Sequence, residues 1–260
     1  MTFSSRIIAI ANQKGGVGKT TTSVNLATAL AACGLRVLLV DFDPQGNAST
    51  GLGIDLSERA ANSYRLVTGE VSVKDAIKSS SVPSLNVIAA EVELSAAEVE
   101  LTTVDRREFR LSDALAGVTA DYDYILIDCP PSLGLLTVNA LCAANTVLVP
   151  LQCEFFALEG LSQLMRTIET VRAGLNQRLV MQGIVLTMYD NRNKLSEQVA
   201  NDVRAHLGNI VYHTVIPRNV RVSEAPSFGK PVLIYDLNCA GSQAYVALAA
   251  ELLNREKEAA

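Results

Sequence analysis

Lys14-Gly15-Gly16-Val17-Gly18-Lys19-Thr20 decides how the rest of this 260-residue chain is read. An apolar run from Arg6 to Ala11 precedes it and a helical pattern from Thr20 to Cys33 follows, so the glycines fall at a strand-to-helix turn. A phosphate-binding loop belongs at such a turn. Glycines let the backbone curl until successive N–H groups point at phosphate oxygens, Lys19 neutralises the β and γ phosphates, and the Thr20 hydroxyl can ligate Mg²⁺. The usual G-x-x-x-x-G-K-[ST] spacing would put glycine at position 13, where this chain has Gln13, and a second lysine, Lys14, stands next to it.

Two further motifs bear on the loop. Ile125-Leu126-Ile127-Asp128 is an apolar strand ending in a carboxylate, placed as the Asp that supports a nucleotide-bound Mg²⁺ from behind. Asp41-Phe42-Asp43-Pro44-Gln45-Gly46-Asn47 closes the second strand, where the Asp43 carboxylate can face the γ-phosphate and orient an attacking water. Without the loop, each motif reads as an ordinary strand end or turn.

Outward from the loop, β-branched runs alternate with helical spacing. Strands are expected at Arg6 to Ala11, Arg36 to Val40, Leu85 to Ile88, Tyr124 to Ile127, Thr146 to Leu151 and Met181 to Thr187, each continuously apolar and so covered on both faces. Helices are expected at Thr20 to Cys33, Leu94 to Leu101, Arg107 to Leu115, Leu135 to Ala143, Leu158 to Ala173, Leu195 to Leu207 and about Gln243 to Arg255. This alternation predicts an α/β phosphate-loop domain with a doubly wound, mostly parallel sheet and helices on both faces. With no linker or repeat, residues 1–260 form one domain, its first few residues and its tail from about 256 to 260 flexible. Gly46 to Pro83, rich in Gly, Ser and Asn, is the expected mobile surface.

Composition excludes several classes. The chain has 22 Lys+Arg against 27 Asp+Glu, 49% apolar residues and a net charge of −5, which fits neither a disordered nor a strongly basic protein. Its cysteines, Cys33, Cys129, Cys142, Cys153 and Cys239, are scattered and odd in number, so no disulfide framework, zinc site or iron–sulfur cluster is indicated and a reducing compartment fits. The N-terminus lacks the marks of a secretion signal. The run from Cys129 to Cys153 has no charge, but its prolines and asparagines divide it into a buried helix and a buried strand rather than a membrane span.

The chain resembles the ParA-type partition ATPases, particularly the short Soj-like members, from Ile7 through the final helix. The match is carried by Ala11-Asn12-Gln13 running into the glycine loop and on to Thr20-Thr21-Thr22, by Asp43-Pro44-Gln45-Gly46-Asn47, and by Asp128-Cys129-Pro130-Pro131-Ser132-Leu133-Gly134. Glu159-Gly160-Leu161, Val215-Ile216-Pro217-Arg218-Asn219-Val220-Arg221 and Ser223-Glu224-Ala225-Pro226 continue it. The resemblance implies an Mg²⁺-dependent ATPase with a deviant Walker A loop, turning ATP into ADP and phosphate. Gly15, Gly16, Val17, Gly18, Lys19, Thr20 and Thr21 would hold the nucleotide, with Thr20, Asp43 and Asp128 around the metal. Lys14 would reach the partner's ATP across a homodimer, joining Lys19 and Asp43 in catalysis, and Pro217 and Asn219 would lie near the adenine. Those two residues also read as a turn after a strand.

Charge is unevenly spread. From Arg172 to Lys230 there are eight basic residues and four acidic ones, a local +4 that leaves −9 for the remainder. A basic stripe on an acidic body suits a phosphate-bearing polymer. The resemblance assigns Arg192 and Arg221 to a surface that binds double-stranded DNA without reading sequence, complete only in the ATP dimer. It further implies a ParB-type centromere-binding partner that stimulates hydrolysis, no membrane contact, and a cytoplasmic, nucleoid-associated role in segregating chromosome or plasmid copies. Two alternatives share the fold. A MinD-like ATPase positioning partners on a membrane would need a basic amphipathic C-terminal helix, whereas Glu251, Glu256 and Glu258 outnumber Arg255 and Lys257 here. A metabolic phosphate-loop ligase would need a small-molecule pocket.

Overall fold

The computed structural model describes residues 5–154 and 157–258, with the backbone alone at 157–159. Its strands are β1 Arg6–Ile10, β2 Val37–Asp41, β3 Ile77–Ser79, β4 Leu85–Ile88, β5 Tyr124–Asp128, β6 Thr146–Gln152, β7 Val180–Tyr189 and β8 Val211–Pro217. Among the described residues these eight form one sheet in the order β3-β4-β2-β5-β1-β6-β7-β8. All neighbours are parallel except β3 against β4. Parallel strands need crossover helices, and those helices cover both faces, which is why the central strands are apolar at nearly every position.

Alternate residues of each strand feed two cores. Ile7, Ala9, Leu38, Val40, Ile125 and Ile127 pack toward the layer that includes helices Leu135–Ala143, Ala157–Gly174 and Lys194–Leu207. Ile8, Ile10, Leu39 and Leu126 pack toward the first helix, Lys19–Ala32, and the last helix, Ala240–Glu258. The first helix is buried on almost every side, and its alanines let it approach both the sheet and the last helix.

Several expectations were met within a residue or two, the helix Leu135–Ala143 and strand Leu85–Ile88 to the residue. The uncharged run from Cys129 resolves into that helix and β6, and no described helix is long and apolar enough to cross a membrane. Two strands had been given no range. β3 is a three-residue edge, and β8 carries His213 and Thr214 among its apolar residues because it too lies at an edge. The expected helix from Leu94 to Leu101 is broken into 3₁₀ turns around Ala97–Glu100, and that from Arg107 begins as a 3₁₀ turn before Arg110–Leu115.

The first part of the stretch from Gly46 to Pro83 is anchored through Arg59. Arg59, buried, donates to the carbonyls of Gly46, Ile54 and Ala90 and to Thr50 Oγ1. Gly46 has φ 61°, and a Cβ there would lie 2.6 Å from the Arg59 guanidinium, so both backbone and space require glycine. The last helix runs to Glu258, and buried Glu256 accepts from Tyr124 Oη and pairs with Arg6 at 3.3 Å. The N-terminal residues 1–4, residues 259–260 of the tail, and the Glu159 side chain lie outside the described residues.

Candidate functional site

Strands β1, β2, β5, β6, β7 and β8 all end at one edge of the sheet, where ligands of doubly wound folds bind. The glycine loop leaves β1 there and enters the first helix through Gly18, whose φ of 86° is open to glycine and strained for other residues. Asn12 Nδ2 donates to the Pro150 carbonyl at 2.7 Å and its Oδ1 accepts from Lys14 N at 3.0 Å. From the far side, Thr187 Oγ1 donates to the Val17 carbonyl at 2.8 Å. The loop is thus held in place by β6 and β7.

Lys19 is buried and its Nζ donates to the Lys14 carbonyl at 3.0 Å, which folds the side chain back over the loop. Burial lowers its pKa, opposed by the nearby charges of Asp128 and Asp43. Asp41 and Asp128 are adjacent in register on β2 and β5, and both are fully buried. Asp41 accepts from Ser49 N at 2.7 Å and Ser49 Oγ at 2.6 Å, and Asp128 accepts from Ser23 Oγ at 2.8 Å. Burial raises the pKa of each, and repulsion among Asp41, Asp43 and Asp128 adds to the rise. The second Asp128 oxygen, Oδ2, is buried and makes no hydrogen bond. A buried carboxylate oxygen without a partner, next to the loop lysine, is the environment a hard divalent cation suits. Asp43, also buried, accepts from Gln45 N at 3.0 Å in the turn that Gly46 completes.

A cavity of about 550 Å³ opens beside the loop, lined by Gly18, Thr21, Pro217, Asn219 and Tyr245 among others. Pro217 and Asn219 therefore face the same space as the loop. Asn219 is also a turn residue, since its Oδ1 caps the short helix Val220–Glu224 through Arg221 N at 2.9 Å and Val222 N at 3.4 Å. The turn reading is the one observed: the carbonyl is spent on the cap, while the amide nitrogen keeps its capacity to donate.

Lys14 does not turn into this seat. Its side chain is 43% exposed and pairs with Glu154 at the end of β6. Arg192 and Arg221 lie in the open, outside the loop. Arg192 forms a two-pronged pair with Asp190 at 3.0 and 2.9 Å, and Arg221 pairs with Glu224 at 3.0 Å and Asp236 at 3.5 Å. The last helix is bolted to the sheet. Glu251 accepts from His213 N and Thr214 N, and Arg255 donates to the Asn209 and Val211 carbonyls while lying 4.1 Å over the Tyr212 ring.

Sequence reasoning named no role for Asp41, Ser23, Ser49, Glu154 or Tyr245. Asp41 had a signal, because Val37–Asp41 ends in a carboxylate just as Tyr124–Asp128 does. The others had none: Ser23 and Ser49 are ordinary hydroxyls until the two strands bring carboxylates to them, and Glu154 is 140 residues from Lys14.

Comparison with known proteins bears on the whole chain. A family model described as an AAA domain matches residues 5–181. The chromosome partitioning protein ParA of Caulobacter vibrioides is 66% identical over 255 residues, covering 97% of this chain and 96% of that one. The sporulation initiation inhibitor protein Soj of Bacillus subtilis is 53% identical over 247 residues, 95% and 98% of the two chains. Among solved structures, cobyrinic acid a,c-diamide synthase from Mycobacterium smegmatis with bound ADP and magnesium superposes with a TM-score of 0.87 at 37% identity, covering 98% of this chain and 97% of the other.

Proposed function

The chain belongs to the ParA/Soj family of chromosome-partitioning ATPases, and on that premise we propose that it is an ATP-dependent dimerisation switch that binds DNA without sequence preference and is reset by hydrolysis. The observation that carries this reading is the division of labour between two lysines five residues apart. Lys19 is buried against its own phosphate seat, whereas Lys14 is exposed and held by Glu154. A cation outside its own seat is available to a neighbour's nucleotide, and it gains strength there only when the partner excludes water.

ATP would lie with its phosphates on residues 15–20 and its base in the cavity by Pro217 and Asn219. Thr20, Asp43 and Asp128 would hold Mg²⁺, which would supply positive charge to offset that of the phosphates. Lys19 holds the phosphates and Asp43 orients the attacking water. ATP makes contacts that favour the dimer, and hydrolysis removes them. Arg192 and Arg221 of both protomers then meet DNA phosphates, and a ParB-type partner accelerates turnover.

The name of the Mycobacterium smegmatis neighbour would favour a metabolic amidation on the same fold. The higher identity to partition proteins and the arginine-bearing edge support the polymer-binding reading. DNA binding by the purified protein with ATP, ADP or no nucleotide, at two salt concentrations, tests it. ATP-dependent binding that weakens steeply with salt and is reduced by Arg192→Glu and by Arg221→Glu is expected. Nucleotide-independent binding, or no effect of either substitution, overturns it.

A further inference from the structure

The edge made by β7 and β8 holds a second cavity, of about 640 Å³, that the nucleotide reading leaves unused. Residues 189–192 after β7 form one wall and the first turn of the last helix, with Gln243 and Ala244, another. Pro217 and Arg218 form the third wall, and the same two residues line the base cavity on their other side.

The charges facing this space are unequal in their freedom. Arg192 is tied to Asp190, whose carboxyl its guanidinium pulls down to about 2, with Arg218 contributing from farther off. Among the described residues the Arg218 guanidinium has no hydrogen bond or ion pair of its own, and the residue is exposed. Two arginines against one aspartate leave a surplus positive charge on a cavity large enough to admit a phosphate group. An exposed ion pair such as Arg192–Asp190 is weakened by water and salt, so a phosphate can replace the carboxylate at little cost.

We propose that this cavity seats a backbone phosphate of double-stranded DNA, with Arg218 as the cation that meets it and Asp190 as an internal anion that the phosphate displaces from Arg192. The inference rests on the DNA-binding reading above and adds a site to it. A polymer is favoured over a free anion because Arg192 and Arg218 lie in the turns that follow β7 and β8 and Arg221 lies in the short helix Val220–Glu224 just beyond, and only a chain of phosphates engages all three together and releases counterions from each contact. Because Arg218 walls both cavities, a base held by Pro217 and Asn219 bears on the residue that meets DNA.

The test measures affinity for a short random-sequence duplex across a salt series, at saturating ATP and Mg²⁺, with dimer formation followed in parallel by light scattering. Arg218→Ala is expected to weaken binding by roughly 3–10-fold and to lower the slope of log K against log[salt] by about 0.9 for every phosphate that is no longer neutralised. Asp190→Asn keeps the acceptor for Arg192 N but removes the charge, and is expected to tighten binding by ~2–5-fold at low salt. Inorganic phosphate should compete no better than chloride at equal ionic strength. Unchanged affinity and slope in Arg218→Ala, while Arg221→Glu still weakens binding, sinks this site and spares the DNA reading; absence of ATP-dependent DNA binding in the wild type sinks that reading itself. Selective competition by inorganic phosphate, an Arg218→Ala defect that disappears once dimer formation is restored by a higher protein concentration, or weaker binding by Asp190→Asn also overturns the assignment.

Discussion

One edge of the sheet carries two regions of charge that obey different physics. Around the glycine loop, Lys19, Asp41, Asp43 and Asp128 are all buried, and one Asp128 oxygen has no hydrogen bond. Beyond β7 and β8, the Arg192 side chain is 84% exposed and the Arg221 side chain 53%, each beside a carboxylate. Buried charges act at short range in a low dielectric, shift one another's protonation and are worth several times more per contact than charges in water. Exposed pairs are screened and interchangeable. The first region is built to commit to one ligand, and the second to trade partners.

The comparison would break most visibly at Asp43. If its buried carboxylate orients water without holding nucleotide, Asp43→Ala lowers ATP turnover by roughly 10²–10⁴-fold while the protein still binds ATP and accumulates as a dimer. Single-turnover kinetics beside equilibrium nucleotide binding checks this, and a nucleotide-free monomer would instead make Asp43 structural. Next comes Lys19→Ala, which removes a charge-assisted contact and should weaken ATP binding by about 10–150-fold. Retained affinity would mean that the buried lysine does not serve the phosphates.

Lys14 sharpens the contrast because it belongs to the exposed kind while sitting in the loop. Lys14→Ala should keep most ATP affinity yet lose ATP-dependent dimerisation, and Glu154→Gln, by releasing Lys14, should raise dimerisation by ~2–5-fold. Analytical ultracentrifugation with and without ATP reads both, and normal dimerisation of Lys14→Ala rejects the shared-site assignment.

The smallest effect is on stability against pH. Burial raises the Asp41 carboxyl to about 6 and raises Asp128 as well, so in the nucleotide-free protein both bind protons more readily folded than unfolded. Their contribution is full below the ordinary carboxylate range, near pH 4, and is lost as pH rises through the raised values. Thermal melts should show Asp41→Asn less sensitive than wild type between pH 4 and about 7, because the substitution removes one titrating group. Identical slopes would indicate that the pair is already neutralised by its surroundings.

Much of the scaffold was legible because its causes are local. β1, β2, β5 and β6 are continuous apolar runs, and glycines at a strand-to-helix turn, followed at once by Lys19 and Thr20, have little use except as an anion seat. Where neighbours decide, the sequence was silent or misleading. The span after Gly46 looks mobile by composition but is anchored by Arg59 donating to the Ala90 carbonyl at 3.1 Å, a contact across 31 residues. β8 hides because an edge strand mixes His213 and Thr214 with Val215 and Ile216, which breaks the apolar run.

For function the same line divides what was readable. The order of residues alone determined that a phosphate loop, a carboxylate after one strand and another after the next would exist, since each is a short motif whose geometry follows from its own backbone. Only the folded chain decided that Asp41 and Asp128 become neighbours, that Lys14 turns outward to Glu154, and that Arg192 and Arg221 are already matched by carboxylates. Those facts depend on strand register and on contacts between distant segments, and coulombic and desolvation energies are set by distances through space, not by separation along the chain.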